Sequence, residues 1–379
     1  MDPLGLTPSG WEALAVAANL PSYRGRQIFD AIHRGGRRDY AAMRELPGAL
    51  RERLAAEMPV RLPEVERRDE AADGSVKLGL RLSDGALIEA VYMPGSTAFA
   101  QVNEFTDARA VAATRDPAPG TRKSTLPTEK FTVCLSSQTG CAVDCAFCVT
   151  GRLGAGRNLS AGEILGQLYV VLDATGRTTE GLRVVFMGMG EPFLNLEGVL
   201  PALEILFEII PPRRVTVSTS GITPAFAAFA ALPRRPNLAV SLNAPDEATR
   251  TRLMPITRTY PIPELVRAMR AWPLEPRRRI LVEYVLIAGV NDREDQAWHL
   301  ARLLSGLEVK INVIPLNEDP TYLPGWRRPD EAAIEAFVKI LVDANLIVTV
   351  RRSKGPDASA ACGQLKGRTV DPRKKPSAI

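Results

Sequence analysis

Three cysteines fall within eight residues: Cys141, Cys145 and Cys148 form a C-x3-C-x2-C run. Cys134 precedes the run by seven residues, and Cys362, in AACGQLKG near the end, completes the five cysteines of the chain. An odd trio so closely spaced cannot pair off as disulfides without strain. A structural zinc site wants a fourth ligand, ordinarily from a second C-x2-C or a histidine pair. The two histidines, His33 and His299, lie in no such arrangement. A [4Fe–4S] cube takes one thiolate per iron, so three cysteines leave one iron open to a chelating ligand. The rival readings are zinc and simple burial, since cysteine packs well in cores. The polar and glycine neighbours Gly140, Asp144 and Gly151 fit burial poorly.

Other residues of chemical interest stand where apolar segments end. Gly188-Met189-Gly190-Glu191-Pro192 follows RVVFM, and its glycines would let backbone approach a ligand closely while Glu191 offers a carboxylate to an α-ammonium group. Ser218 closes RVTVS, Ser241-Leu242-Asn243 closes LAVSL, and Asn317 follows KINVIPL. Singly, each is as readily an ordinary strand-end polar residue. Cys134 lies in a segment whose alternation places it with Thr132 and Ser136, and alone it reads as a buried structural cysteine. Cys362 sits in a glycine-flanked loop, where a reactive thiol is the better reading.

The elements that must position these groups follow from periodicity. Strands are expected at 131–135, 183–187, 214–218, 238–242, 280–287, 310–314 and 346–350, with helical stretches between them. Apolar strands alternating with helices imply a parallel sheet with right-handed crossovers. About six such units fall short of the eight of a closed barrel, so the expectation is an α/β partial (β/α)6 barrel spanning 131–351, with chemistry at the C-terminal ends of its strands. Segment 1–60 reads as a helical module: Leu14, Ala17 and Leu20 mark one apolar face, Ile28, Phe29 and Ile32 a second, and Leu50, Leu54 and Met58 a third. Within 61–94, the runs 77–82 and 87–93 around Ser83-Asp84-Gly85-Ala86 read as a β-hairpin. Segment 95–130 has no sustained periodicity and reads as an insertion at the approach to the site; 352–379 forms a C-terminal segment carrying Cys362.

Composition narrows the class. The 379 residues are 45% hydrophobic, enough for a full core. No apolar run approaches a membrane span, and the start lacks a basic secretory leader. Clustered cysteines suited to metal point to a reducing compartment, the cytoplasm. A net charge of +5 is compatible with nucleic acid without requiring it. Arg24, Arg26, Arg34, Arg37 and Arg38 on the helical module are the candidate phosphate contacts, solvated faces being the default for such runs.

Together these residues carry a specific resemblance. The cysteine run has the spacing of radical S-adenosylmethionine enzymes. C-x6-C-x3-C-x2-C, VVFMGMGEPFLN, RVTVSTSG, SLNAPDEATRTRLMPITRTYPI, EYVLIAGVND and AACGQLKG together resemble the radical SAM adenine C2-methyltransferases of ribosomal RNA. LPSYRGRQIFDAI is similar to that family's helical RNA-binding module, and the likeness covers 12–94 and 131–372. It implies a [4Fe–4S] cluster on Cys141, Cys145 and Cys148, with S-adenosylmethionine held by Gly190, Glu191, Ser218, Ser241, Leu242, Asn243 and Asn317. It also implies Cys362 as the methyl-carrying cysteine, Cys134 as its partner in a transient disulfide, and Glu89 as a proton acceptor. The product implied is 2-methyladenosine in 23S rRNA, with tRNA as an additional substrate left open, through a methyl-cysteine and a covalent RNA adduct. An electron donor such as flavodoxin or ferredoxin and a monomeric state are implied as well. The C8-methylating relatives share these cysteines and are the nearest alternative; a non-catalytic, metal-containing RNA-binding protein is the more distant one. Two departures stand out: Asn243 where the family has His, and the long 95–130 segment.

Overall fold

In the computed structural model, residues 2–95, 129–351 and 363–365 are described. The cysteine Cys362 and almost all of the 95–130 segment fall outside them.

Ten strands form one sheet in simple sequence order. β1 (Glu64–Glu70), β2 (Val76–Arg81) and β3 (Leu87–Pro94) make an antiparallel meander that joins β4 (Phe131–Cys134), also antiparallel. From β4 the sheet is parallel: β5 (Leu182–Phe186), β6 (Val215–Thr219), β7 (Asn237–Ser241), β8 (Ile280–Leu286), β9 (Val309–Pro315) and β10 (Ile347–Val350). Six crossovers separate these seven strands, and no pairing of β4 with β10 closes the ring among the described residues. This is the expected partial (β/α)6 barrel, with every expected strand present. The hairpin is present as β2–β3.

The crossovers carry α4 (Ala161–Thr175), α5 (Leu196–Ile209), the short α6 (Phe226–Ala230), α7 (Glu247–Leu253) with α8 (Ile262–Ala271), α9 (Glu294–Leu304) and α10 (Glu331–Asp343). Their start points follow local chemistry. Ser160 caps α4 in a capping box with Glu163, and Asn195, Asp246 and Asp330 cap α5, α7 and α10.

Strand register sorts the side chains by face. Val184, Val217, Leu238, Val240, Val282, Tyr284, Ile311 and Val313 are at most 2% exposed and point outward, under the helices. The opposite, inward face reads differently. Cys134 stands level with Val185, Thr216 lies beside it on β6, and Ser241, Glu283, Asn312 and Thr349 form a single row across β7 to β10. Val185, Ala239 and Val285 share that face, so the polar groups sit as a band among apolar neighbours and need polar partners there.

The helical module comprises α1 (Pro8–Ala17), α2 (Tyr23–His33) and α3 (Gly48–Glu57). Ile28, Phe29 and Ile32 are buried as expected, and so is Leu54. The face assigned to α1 is corrected: Trp11 and Ala15 are its buried residues, while Leu14 is half-buried and Ala17 exposed. Gly25 sets this phase. A Cβ there would lie 2.3 Å from the Trp11 carbonyl oxygen, so α2 meets α1 backbone to backbone at Trp11.

Candidate active site

The cysteine run follows β4 as a loop held at several points. Cys141 N–H donates to Gly154 O at 2.9 Å, Ala146 N–H to Leu253 O at 2.8 Å, and Cys148 N–H to Cys145 O at 3.0 Å. Val149 N–H donates to Gly363 O at 2.7 Å, which fastens the residue after Cys362 to the end of the cysteine loop. Cys141, Cys145, Cys148 and Gly363 line one cavity together with Gly190, Glu191, Ser218, Ser241, Asn243 and Asn317. Of the expected cofactor contacts, only Leu242 is missing from that wall. Its side chain is fully buried, and its carbonyl accepts from Arg250 Nε at 3.0 Å.

The donor set on the cavity wall is three thiols. Burial pushes the Cys141 thiol up to about 12, with Cys148 beside it adding to the effect, and Cys145 is raised further for the same reasons. A bound cation would offset that cost and favour the thiolates. Three thiols on one wall fit a [4Fe–4S] cube, which takes one thiolate per iron.

Glu191 is buried, and burial raises its carboxyl pKa while backbone N–H groups pull it back. Its Oε1 accepts from Phe193 N–H at 3.0 Å and its Oε2 from Ser220 N–H at 2.7 Å. The carboxylate thus ties the loop after β5 to the end of β6, so any contact with an ammonium group shares the side chain with that task. Gly190 has φ +99°, and a Cβ there would sit 2.6 Å from Gln138 Cβ. Gln138 Oε1 in turn accepts Glu191 N–H at 2.8 Å. Only glycine lets these two loops touch.

Asn243 has a structural explanation that its sequence position hides. Its φ is +59°, a region asparagine tolerates better than most residues. Its Oδ1 accepts Val285 N–H at 2.8 Å and its Nδ2 donates to Met254 Sδ at 3.1 Å. Both polar atoms already have protein partners beside the cavity.

Cys134 and Glu89 lie off the cavity wall. Cys134 stands opposite Val91, two residues from Glu89, so the pair share the inward face of β3 and β4. Glu89 is 1% exposed and held by Arg67 Nη2 at 2.9 Å and Lys77 Nζ at 3.5 Å.

Two residues escaped the sequence reading. Arg250 is fully buried beneath the rim, donating to Ser220 O at 2.6 Å, Ser241 O at 3.2 Å and Thr257 Oγ1 at 2.8 Å. Glu283 lines the cavity from the middle of β8. The signal for Glu283 was a lone carboxylate inside the apolar run ILVEYVLI.

The Radical SAM superfamily profile matches residues 135–301. A dual-specificity RNA methyltransferase RlmN of Sorangium cellulosum is 42% identical over 372 residues, 96% of this chain and 95% of its own. Its counterpart in Anaeromyxobacter dehalogenans is 39% identical over 94% of this chain and 90% of its own. The chain belongs to the RlmN family of radical SAM enzymes. The crystal structure of a radical SAM methyltransferase from Sphaerobacter thermophilus superposes with a TM-score of 0.81 at 39% identity, covering 97% of this chain and 100% of that one. As an RlmN-family chain it uses a [4Fe–4S] cluster and S-adenosylmethionine, and the cavity described above has the donors for both.

Proposed function

We propose that the chain is a radical SAM methyltransferase that forms 2-methyladenosine in 23S ribosomal RNA, with transfer RNA as a second substrate in line with the relatives' dual-specificity name. One observation carries the reading: in a chain of this family, three half-buried cysteines and the GMGEP loop face a single cavity to which the neighbour of Cys362 is fastened.

When bound, the cluster with S-adenosylmethionine supplies one-electron chemistry able to activate an unreactive C–H bond. Cys141, Cys145 and Cys148 would each hold one iron. Gly190 and Glu191, with Ser218, Ser241, Leu242, Asn243 and Asn317 around the rim, would seat the cofactor, Leu242 through its backbone. Cys362, as thiolate, would accept the methyl group and carry it onto adenine C2 as a covalent adduct. Glu89 would take the C2 proton, and Cys134, on the same inward face, would release the adduct by forming a disulfide with Cys362. Ion pairs with Arg67 and Lys77 would hold the Glu89 carboxylate in place on that face. A reduced flavodoxin or ferredoxin would supply electrons, and a cytoplasmic monomer is the setting that fits this chemistry.

Nucleoside mass spectrometry on RNA from a deletion strain, complemented with variants, tests the proposal. Wild type restores 2-methyladenosine, whereas Cys362→Ala restores none. Cys134→Ala stalls as an RNA-linked protein, visible on denaturing gels and collapsed by ribonuclease. Unchanged 2-methyladenosine after deletion, a C8-methylated product, or no RNA-linked Cys134→Ala species would contradict it.

A further inference from the structure

Charged side chains continue the inward face past Cys134, onto the antiparallel strands. Asp69 on β1, Lys77 on β2, Val91 on β3 and Cys134 on β4 stand in one row across the sheet. Arg67, Gly79 and Glu89 form a neighbouring row. Arg67 Nη2 reaches Glu89 Oε1 at 2.9 Å, and its Nε reaches Asp69 Oδ2 at 2.8 Å. Lys77 Nζ lies 3.5 Å from the same Glu89 oxygen and 3.7 Å from Asp69 Oδ2. Gly79 stands between Arg67 and Glu89 in the row, and a Cβ there would sit 3.3 Å from Arg67 Cβ. With no side chain on β2 at this place, Arg67 crosses from the edge strand to β3.

The backbone of Glu89 is held as well. Ser136 Oγ donates to Glu89 O at 2.6 Å and accepts from Met189 N–H, in the GMGEP loop, at 2.9 Å. Ser136 is itself fully buried, and Gln167 of α4 clasps its backbone with two bonds of 2.9 Å. One hydroxyl therefore joins the Glu89 strand to the loop that lines the cavity.

Lys77 is 1% exposed. A buried ammonium is a poor stabiliser, because desolvation offsets most of what its ion pairs return, and apolar side chains of like volume often serve as well. Its placement gives a reason other than stability. Two cations on one oxygen fix a carboxylate more narrowly than one could. A base that must meet a C–H bond needs that fixation, since a misplacement of about 1 Å can cost about a hundredfold in rate.

We propose that Lys77 and Arg67 are positioning residues for the release step, aiming the Glu89 carboxylate at the C2 proton of the adenine linked to Cys362. The inference rests on the methyltransferase reading and on Glu89 as its proton acceptor. In that step one proton passes from adenine C2 to Glu89, and the electron pair of the C–H bond stays in the adduct.

Turnover of the anaerobically purified, cluster-loaded full chain on 23S ribosomal RNA, transcribed with ordinary or 2-deuterated ATP, tests this. Lys77→Met keeps wild-type iron content and still carries a methyl group on Cys362, read by mass spectrometry. It makes 2-methyladenosine about tenfold to a hundredfold more slowly. The ribonuclease-sensitive, RNA-linked chain accumulates, and deuterated RNA slows the variant more than it slows the wild type. Arg67→Met, on the half-exposed edge strand, shares both signatures and carries the test if Lys77→Met fails to fold. Glu89→Gln is the reference and stalls in the same way. Full turnover by Glu89→Gln would remove the proton-acceptor reading and the proposal with it. A stalled Glu89→Gln beside normal turnover of Lys77→Met and Arg67→Met would overturn the proposal alone. So would variants in which iron, methylated Cys362 and adduct fall together with no added deuterium effect, the mark of a merely structural role.

Discussion

At the residue scale, Arg250 shows how much of the site is held from behind. Its guanidinium joins carbonyls at the ends of β6 and β7, and burial lowers its pKa to about 10 while leaving it charged at neutral pH. Arg250→Met keeps the bulk but abandons the Ser220, Ser241 and Leu242 carbonyls in a dry environment. We expect a loss of about 3 kcal/mol in urea unfolding, with weaker cofactor binding as the two strand ends part. Unchanged stability would mean those carbonyls find other donors. The cysteine run and the GMGEP loop were legible because their spacing or composition is rare. Arg250 was not, since nothing in EATRTRL distinguishes a buried arginine from a solvated one. Asn243 lines the cavity as expected, and what its sequence position did not show is that Val285 and Met254 hold it at a left-handed backbone position.

At the element scale, the seven parallel strands were readable because their outward faces are continuously apolar. β1 was not. Its sequence EVERRDE has no apolar alternation, and six of its seven residues are exposed. It forms because β2 offers a free edge, and its charges then shield that edge. The α1 face was misphased because an Ala- and Leu-rich helix offers several apolar stripes, and only the close approach at Gly25 chooses among them. The basic side chains of the helical module also differ from a bare phosphate-binding face. Arg26 and Arg34 meet Glu208 of the barrel at 2.8 and 3.2 Å, and Arg37 meets Glu45. Much of that charge therefore docks the module as well as facing solvent.

The same junction carries a pH dependence. His33 on α2 is 2% exposed, and its Nδ1 meets Tyr169 Oη of α4 at 2.5 Å. Burial, with Arg38 adding repulsion, lowers its pKa to about 3 from an ordinary 6.5. The unfolded chain then binds a proton that the folded chain refuses between those values. Stability from this group is complete above pH 6.5 and declines as pH falls towards 3, by at most about 1.4 kcal/mol per unit. Urea unfolding at stepped pH checks this: His33→Gln should flatten the decline, and an equal slope in both proteins would refute it.

At the scale of the whole molecule, sequence order and sheet order coincide, so each crossover delivers its strand end to one rim. The loops that follow β4, β5, β6, β7 and β9 all reach the same cavity, which is why motifs scattered over nearly two hundred residues read as one site. No helix among the described residues is long and apolar enough to cross a membrane. What the sequence could not convey is the polar lining of the barrel, because inward and outward assignments come from register between strands far apart in the chain. The central claim is that Cys141, Cys145 and Cys148 hold a [4Fe–4S] cluster whose open iron takes S-adenosylmethionine. Its most direct test is electron paramagnetic resonance of the anaerobically purified, dithionite-reduced protein, with iron and sulfide assayed on the same sample. The account predicts about four irons and four sulfides per chain, a reduced-cluster signal that shifts on adding S-adenosylmethionine, and loss of that signal in Cys145→Ala. A colourless, zinc-loaded protein, or a cluster signal indifferent to S-adenosylmethionine, would contradict it.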